Sequence, residues 1–155
     1  MSKKVLKKLK AIYLAISNIY NYFVFPYIAP FGLKDESVNI APPCLLIGTK
    51  NIYLHDNVQI GPSSIFFAPH SKIIIKKNTY SGPRLFISTG NHYSKVGHFS
   101  LFLSHEDKIK DNVLLNWDVT IDEDVWIGAN VTILCKHIGR GSIIAVNDRY
   151  SVRFS

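Results

Sequence analysis

Between Leu115 and Leu134 the chain reads LNWDVTIDEDVWIGANVTIL. Leu115, Ile121, Ile127 and Ile133 return every six residues, with Val113, Val119, Val125 and Val131 two places earlier. A helix of 3.6 residues per turn would carry such a repeat around its axis, and a simple alternating strand has no reason to insert Gly128 into its apolar run. Short strands joined by corners do account for it. Each six-residue unit then supplies one flat face and one turn, and three units close a triangular coil of about 18 residues with the aliphatic side chains inside. Gly128 follows an inward residue, where the chain must bend.

At 155 residues the chain has room for one domain with a substantial core. It is 47% apolar and 19% charged, which excludes a disordered polymer. Its net charge of +7 favours anionic company, but no helix-turn-helix, finger or RNA-binding signature accompanies it, so no nucleic acid partner is expected. Cys44 and Cys135 form no disulfide framework and have no partners at metal-ligand spacing, so both are read as free thiols of a reducing compartment.

Residues 1–33 stand apart from the repeat. Lys3, Lys4, Lys7, Lys8 and Lys10 precede a stripe of Leu9, Ile12, Ile16, Ile19 and Phe23, with Lys3, Lys7, Lys10, Ser17 and Asn21 opposite. This is the pattern of an amphipathic helix, with its end expected at Pro26. Ser17, Asn18 and Asn21 interrupt the roughly 20 apolar residues that a spanning helix needs, and no small-residue cleavage site marks a signal peptide. Two expectations stay open: peripheral membrane contact through residues 1–27, and packing on the domain itself or on a sister subunit. The protein is expected in the cytoplasm, and the first would place it peripherally at the inner face of the membrane.

Residues 34–155 form the second unit. Lys34 to Pro43 reads as a polar junction, after which Ile47-Gly48, Leu54, Ile60-Gly61 and Phe66 carry the repeat. The spacing lapses at Ala68 to Lys72 and resumes at Ile75, Ser81-Gly82 and Ile87. Residues 88–112 show no periodicity and are too long for an idle connection, so they are a candidate functional loop. After Ile133 the next aliphatic-glycine pair, Ile138-Gly139, comes five residues later instead of six. Beyond Ala145 no repeat is visible, which suggests shortened C-terminal coils or a truncated chain.

VWIGANVTIL (Val125 to Leu134), IGRGSIIA (Ile138 to Ala145) and ISTGNHYSKVG (Ile87 to Gly97) resemble the hexapeptide-repeat acyltransferases. The nearest resemblance is to the maltose and galactoside acetyltransferases and the O-acetyltransferases of cell-surface polysaccharides. It implies an all-β, left-handed parallel β-helix, here of roughly four coils, with an N-terminal amphipathic helix and one long excursion loop. It also implies a homotrimer that uses acetyl-CoA as co-substrate and acetylates a sugar hydroxyl of a polysaccharide or its precursor, with no metal.

Such a transfer needs a base for the hydroxyl proton, and His92, after Gly90-Asn91, matches the catalytic histidine of that family. Trp126, between Val125 and Ile127, should point away from the interior, and the resemblance places it along the pantetheine arm of acetyl-CoA, across from the histidine of a neighbouring subunit. Asn91, Ser88 and Arg84 are candidate acceptor contacts, Arg84 standing where galactoside-acetylating relatives carry asparagine. Lys136 and Arg140 are candidate contacts for the nucleotide phosphates. His92, His98 and His105 invite a zinc reading, but they share one loop, unlike ligands held on stacked coils. Two alternatives compete with this reading: a catalytically degenerate or non-catalytic trimeric β-helix scaffold, supported by the five-residue step, and N-acyl transfer to an amino sugar.

Overall fold

The computed structural model describes residues 3–90, 99 and 115–151. The repeat folds as a left-handed parallel β-helix of five coils, whose strands stack into three five-stranded sheets. Face one holds Leu33–Lys34, Ile52–Leu54, Ile73–Ile75, Val119–Ile121 and His137–Ile138. Face two holds Asn39–Ile40, Gln59–Ile60, Tyr80–Ser81, Trp126–Ile127 and Ile143–Ile144. Face three holds Leu45–Ile47, Ile65–Phe67, Phe86–Ser88, Thr132–Leu134 and Arg149–Ser151.

Alternation along each short strand sends one residue type inward. Ile52, Leu54, Ile73, Ile75, Ile121, Ile127, Ile133, Phe66 and Ile87 are all fully buried, and they form the single core that fills the prism. The backbone of each interior strand pairs with the coils above and below, so each coil is a template for the next.

The strand register explains where the sequence departs from six. From face one to face two the step is six residues in every coil: Leu33 to Asn39, Tyr53 to Gln59, Ile74 to Tyr80, Thr120 to Trp126, His137 to Ile143. From face two to face three it is again six: Asn39 to Leu45, Gln59 to Ile65, Tyr80 to Phe86, Trp126 to Thr132, Ile143 to Arg149. Only the third corner varies. It runs from Leu45 to Tyr53, Ile65 to Ile74, Phe86 to Thr120, and Thr132 to His137. The lapse at Ala68 to Lys72, the long excursion and the five-residue step after Ile133 are therefore variations of one corner.

The two invariant corners share a device. Asn57, Asn78, Asp124 and Gly141 at the first, and Ser63, Arg84, Asn130 and Asn147 at the second, all have φ between 58° and 69°. That left-handed turn favours Gly, Asn and Asp. Side-chain amides link successive coils, Asn57 Nδ2 to Asn78 Oδ1 at 3.1 Å and Asn130 Nδ2 to Asn147 Oδ1 at 2.9 Å.

Several sequence expectations change. Lys34 to Pro43 is a coil and not a junction, which gives five coils where the repeat alone gives about four. Its strands are two residues long, and Lys34 stands in register with Leu54, which hides the pattern. A strand also follows Ala145: Tyr150 pairs with Ile133, so the fifth coil reaches face three with an aromatic residue where the repeat has an aliphatic one. The regular coil resumes at Val119. Leu115 instead sits half-buried at the neck of the excursion, and Val113 lies outside the described residues.

The N-terminal helix α1 spans Lys3–Ile19, and the chain continues through a π-helical turn, Tyr20–Val24, into α2, Phe25–Ile28. Pro26 thus does not end the helical segment. Lacking an N–H, it cannot bond the carbonyl of Tyr22, four residues back, and that carbonyl accepts the N–H of Cys44 at 3.0 Å instead. Pro26 is buried and Phe31 packs against the core, so this bond roots the helical segment on the first coil. Both cysteines are free, Cys44 buried and Cys135 half-buried.

Candidate functional site

Ile127 points into the core, so its neighbour Trp126 points out, as the spacing requires. It belongs to a ladder on the outer surface of face two that runs, coil by coil, Asn39, Gln59, Tyr80, Trp126, Ile143. The ladder changes from polar to aromatic to aliphatic. Tyr80, Trp126 and Ile143 are 48%, 46% and 67% exposed, forming an apolar strip. The Tyr80 and Trp126 rings stack, with centroids 6.1 Å apart and planes inclined by 17°. Near-parallel stacking of this kind orders both rings relative to each other and makes the strip a wall suited to a partner or an extended ligand. Spacing arguments singled out Trp126 but missed Tyr80, because 46 residues separate positions that the fold makes adjacent.

Basic residues flank this wall. Arg84 is exposed at the second corner, where its backbone takes the left-handed turn and its N–H donates to Pro62 O at 2.8 Å. Arg140 is exposed at the first corner, in the coil that carries Ile143, and its Nε lies 3.9 Å from Glu123 Oε2. Trp126, Arg84 and Arg140 therefore share one face and its two edges.

Ser88 and Lys136 lie elsewhere, at the third corner. Ser88 ends its strand, is buried, and donates its hydroxyl to Gly90 O at 3.2 Å. Lys136 is exposed one coil later. The excursion leaves and returns beside Ser88 through a closed neck: Gly90 bridges Asn116, and Trp117 N–H donates to Thr89 O at 2.9 Å. His92 and Asn91 lie outside the described residues, as do His98 and His105. In a triangular prism the third corner is the vertex opposite face two. Within one chain, then, the root of the candidate loop and the Trp126 wall stand on opposite sides of the core.

A second cluster, also unread from spacing, occupies the first corner. Asp122 accepts from Lys76 Nζ through Oδ1 and meets His137 Nε2 through Oδ2, both at 2.8 Å. The Lys76 bond first, and His137 second, hold the Asp122 carboxyl below its usual 3.8, and Asp122 in turn raises Lys76. Lys77 and Glu123, 3.8 Å apart, continue the ladder. With His55, Asp56 and Lys76 they line a shallow, open pocket of about 260 Å³. Lys76 and Lys77 face Asp122 and Glu123 on the next coil, Arg140 faces Glu123 from the coil beyond, and all of them meet water. The arrangement braces successive coils and has no walled space in which to position a substrate. Burial raises the thiols of Cys44 and Cys135, which disfavours a nucleophilic role for either. Among the described residues no three His, Cys, Asp or Glu side chains converge as metal ligands.

No protein-family model matches the chain, and no curated protein does. Among solved structures the fold is similar to the crystal structure of a hexapeptide-repeat-containing acetyltransferase from Vibrio cholerae. The two are 24% identical, with a TM-score of 0.61 over 77% of this chain and 62% of that one. The chain thus spans less than two thirds of that relative's length, and the likeness is one of fold.

Proposed function

We propose that the protein is a CoA-dependent acyltransferase that moves an acetyl group from acetyl-CoA to a sugar hydroxyl, as in a cell-surface polysaccharide or its precursor, and that it works as a homotrimer. The observation that carries this reading is the outward Trp126 ring, stacked on Tyr80 and flanked by Arg84 and Arg140. An apolar wall with cations at its edges suits a ligand that has a long uncharged arm and phosphates at one end. Likeness in fold to a hexapeptide-repeat acetyltransferase supports the same chemistry.

The opposed positions of the wall and the excursion root support assembly. A face two and a third corner from different copies can form one cleft, and cyclic association of three prisms would bring each wall beside the next chain's loop root. In that cleft His92 takes the proton from the acceptor hydroxyl as its oxygen attacks the thioester carbonyl carbon. The C–O bond forms, the C–S bond breaks, and the proton passes to the departing thiolate. Asn91 orients the acceptor. Ser88, whose proton is committed to Gly90 O, offers it only lone pairs. Lys136, at the same corner as the loop root, meets the phosphates from the other side of the cleft.

The test is incubation of the full chain with acetyl-CoA and a panel of glycans, following thiol release and acetylated product by mass. Base-labile product marks O-acetylation and base-stable product N-acetylation. His92→Ala should abolish release while the trimer stays folded. Near-normal turnover in that variant would remove His92 from the mechanism, and absence of any release by the parent chain would favour a scaffold. The five-residue step is no argument for a degenerate chain, since it lies at the one corner that varies in every coil and leaves strand register intact.

A further inference from the structure

Helix α1 presents an uncovered apolar face. Val5, Leu6, Leu9, Ile12, Tyr13, Ile16, Ile19 and Tyr20 are between 45% and 70% exposed, and Phe23 in the π turn continues them at 50%. At 100° per residue these positions fall within one continuous arc of about 140°. Each of these side chains keeps nearly half or more of its surface in water. Among the described residues, helix and body are joined beyond Ile19, through the Tyr22 carbonyl, buried Pro26 and half-buried Phe31. The exposure of this face favours the first of the two expectations, contact with a membrane surface.

Charge says what fits this face. Lys7, Lys8 and Lys10 are exposed on the complementary arc, Lys3 and Lys4 fall on the same arc by position, and no acidic residue precedes Asp35. A helix meant for a second protein surface commonly carries charges of both signs around its apolar seam. This one carries a single sign, concentrated in its first two turns, while Tyr13 and Tyr20 lie within the apolar arc. Among the described residues no helix is long and apolar enough to cross a membrane. Such a helix lies in the plane of a lipid interface, with its aliphatic side chains among the acyl chains, its tyrosines at headgroup level and its lysines against lipid phosphates.

We infer that α1 is a peripheral anchor that binds an anionic phospholipid surface through its apolar arc and its lysines, holding the β-helix at the membrane by the Tyr22–Cys44 root. This inference is independent of the acyltransferase reading, since neither observation behind it involves face two or His92. One helix of this kind binds reversibly, and a protein that presents several copies gains avidity without any new contact.

The test is flotation of the full-length chain with vesicles of phosphatidylcholine alone and of phosphatidylcholine with phosphatidylglycerol, at low and high salt. The anchor predicts co-flotation with the anionic vesicles and a fall of about tenfold or more in the bound fraction in high salt or with neutral vesicles. A double variant, Leu9→Glu with Ile16→Glu, should lose flotation while keeping the parent's thermal unfolding, because both side chains are exposed. A Lys7→Glu, Lys8→Glu, Lys10→Glu variant should lose the preference for anionic lipid. Parent protein that stays at the bottom of the gradient with anionic vesicles overturns the anchor. So does a Leu9→Glu, Ile16→Glu variant that floats like the parent, and so does one that fails to float because it has changed oligomeric state, since α1 would then be a contact between copies. Flotation reads no acetyl transfer, so its failure leaves the activity test unaffected.

Discussion

Tyr80 and Trp126 stack at 6.1 Å on adjacent strands of face two, although one precedes the excursion loop and the other follows it. Their stacking depends on the register kept across that excursion. Truncating either should cost little stability, about 1 kcal/mol or less, because both are half-exposed. Their roles in binding should differ. Trp126→Ala should weaken acetyl-CoA binding by about tenfold or more, and Tyr80→Ala by less, since it removes the smaller ring and leaves the indole in the wall. Binding isotherms with matched thermal unfolding curves check both halves of this expectation.

Coil spacing leaves no room at certain glycines. A Cβ on Gly61 would run into the backbone carbonyl of Gly82 in the next coil, whereas a Cβ on Gly139 meets nothing within 4 Å. Gly61→Ala should therefore destabilise by about 1–3 kcal/mol, and Gly139→Ala should change stability by no more than about 0.5 kcal/mol. Urea unfolding of the two variants provides the comparison.

Asp122 accepts from Lys76 and His137 at once, which holds its carboxyl below the ordinary range in the folded chain. Over the interval between folded and unfolded values the unfolded chain binds more protons, so stability rises with pH there. The contribution is complete above the unfolded value near 3.8 and disappears as pH falls through the lower folded value. Asp122→Asn should remove this component of acid sensitivity. Unfolding midpoints between about pH 2 and 6 should fall more steeply on acidification in the parent than in the variant.

The third corner accommodates steps of very different length, while the other two are fixed at six residues. A Gly-Ser insertion between Cys135 and Lys136 should thus cost about 0.6 kcal/mol or less, the order of a modest loop extension. The same insertion between Ala129 and Asn130 breaks the left-handed turn and the Asn130–Asn147 bond. It should displace the last coil and cost several times as much. Thermal unfolding distinguishes the two sites directly.

Much of this architecture was legible because the six-residue period is a direct image of the prism. Ile121, Ile127 and Ile133 each report one face, and Trp126 beside Ile127 could be turned outward on parity alone. The first coil was not legible because Lys34 replaces the aliphatic signal, nor was the last strand, where Tyr150 does. Contacts across the excursion, such as Tyr80 with Trp126 or Lys76 with Asp122, depend on register after an irregular insertion, and no local pattern encodes that. Arg84 was read as an acceptor contact, while its backbone also serves a corner that the repeat requires. In the proposed trimer, meeting of the excursion loop with the Trp126 wall would be a relationship between chains, and one chain's spacing holds no record of that.

The proposed function requires face two to be a wall for acetyl-CoA. Calorimetric titration of the full-length protein with acetyl-CoA tests this most directly, with Trp126→Ala and His92→Ala alongside. Saturable binding that is lost or greatly weakened in Trp126→Ala, and kept in His92→Ala while transfer disappears, is the predicted result. A folded trimer that takes up no acetyl-CoA, or one that binds it equally well without the Trp126 ring, would contradict it.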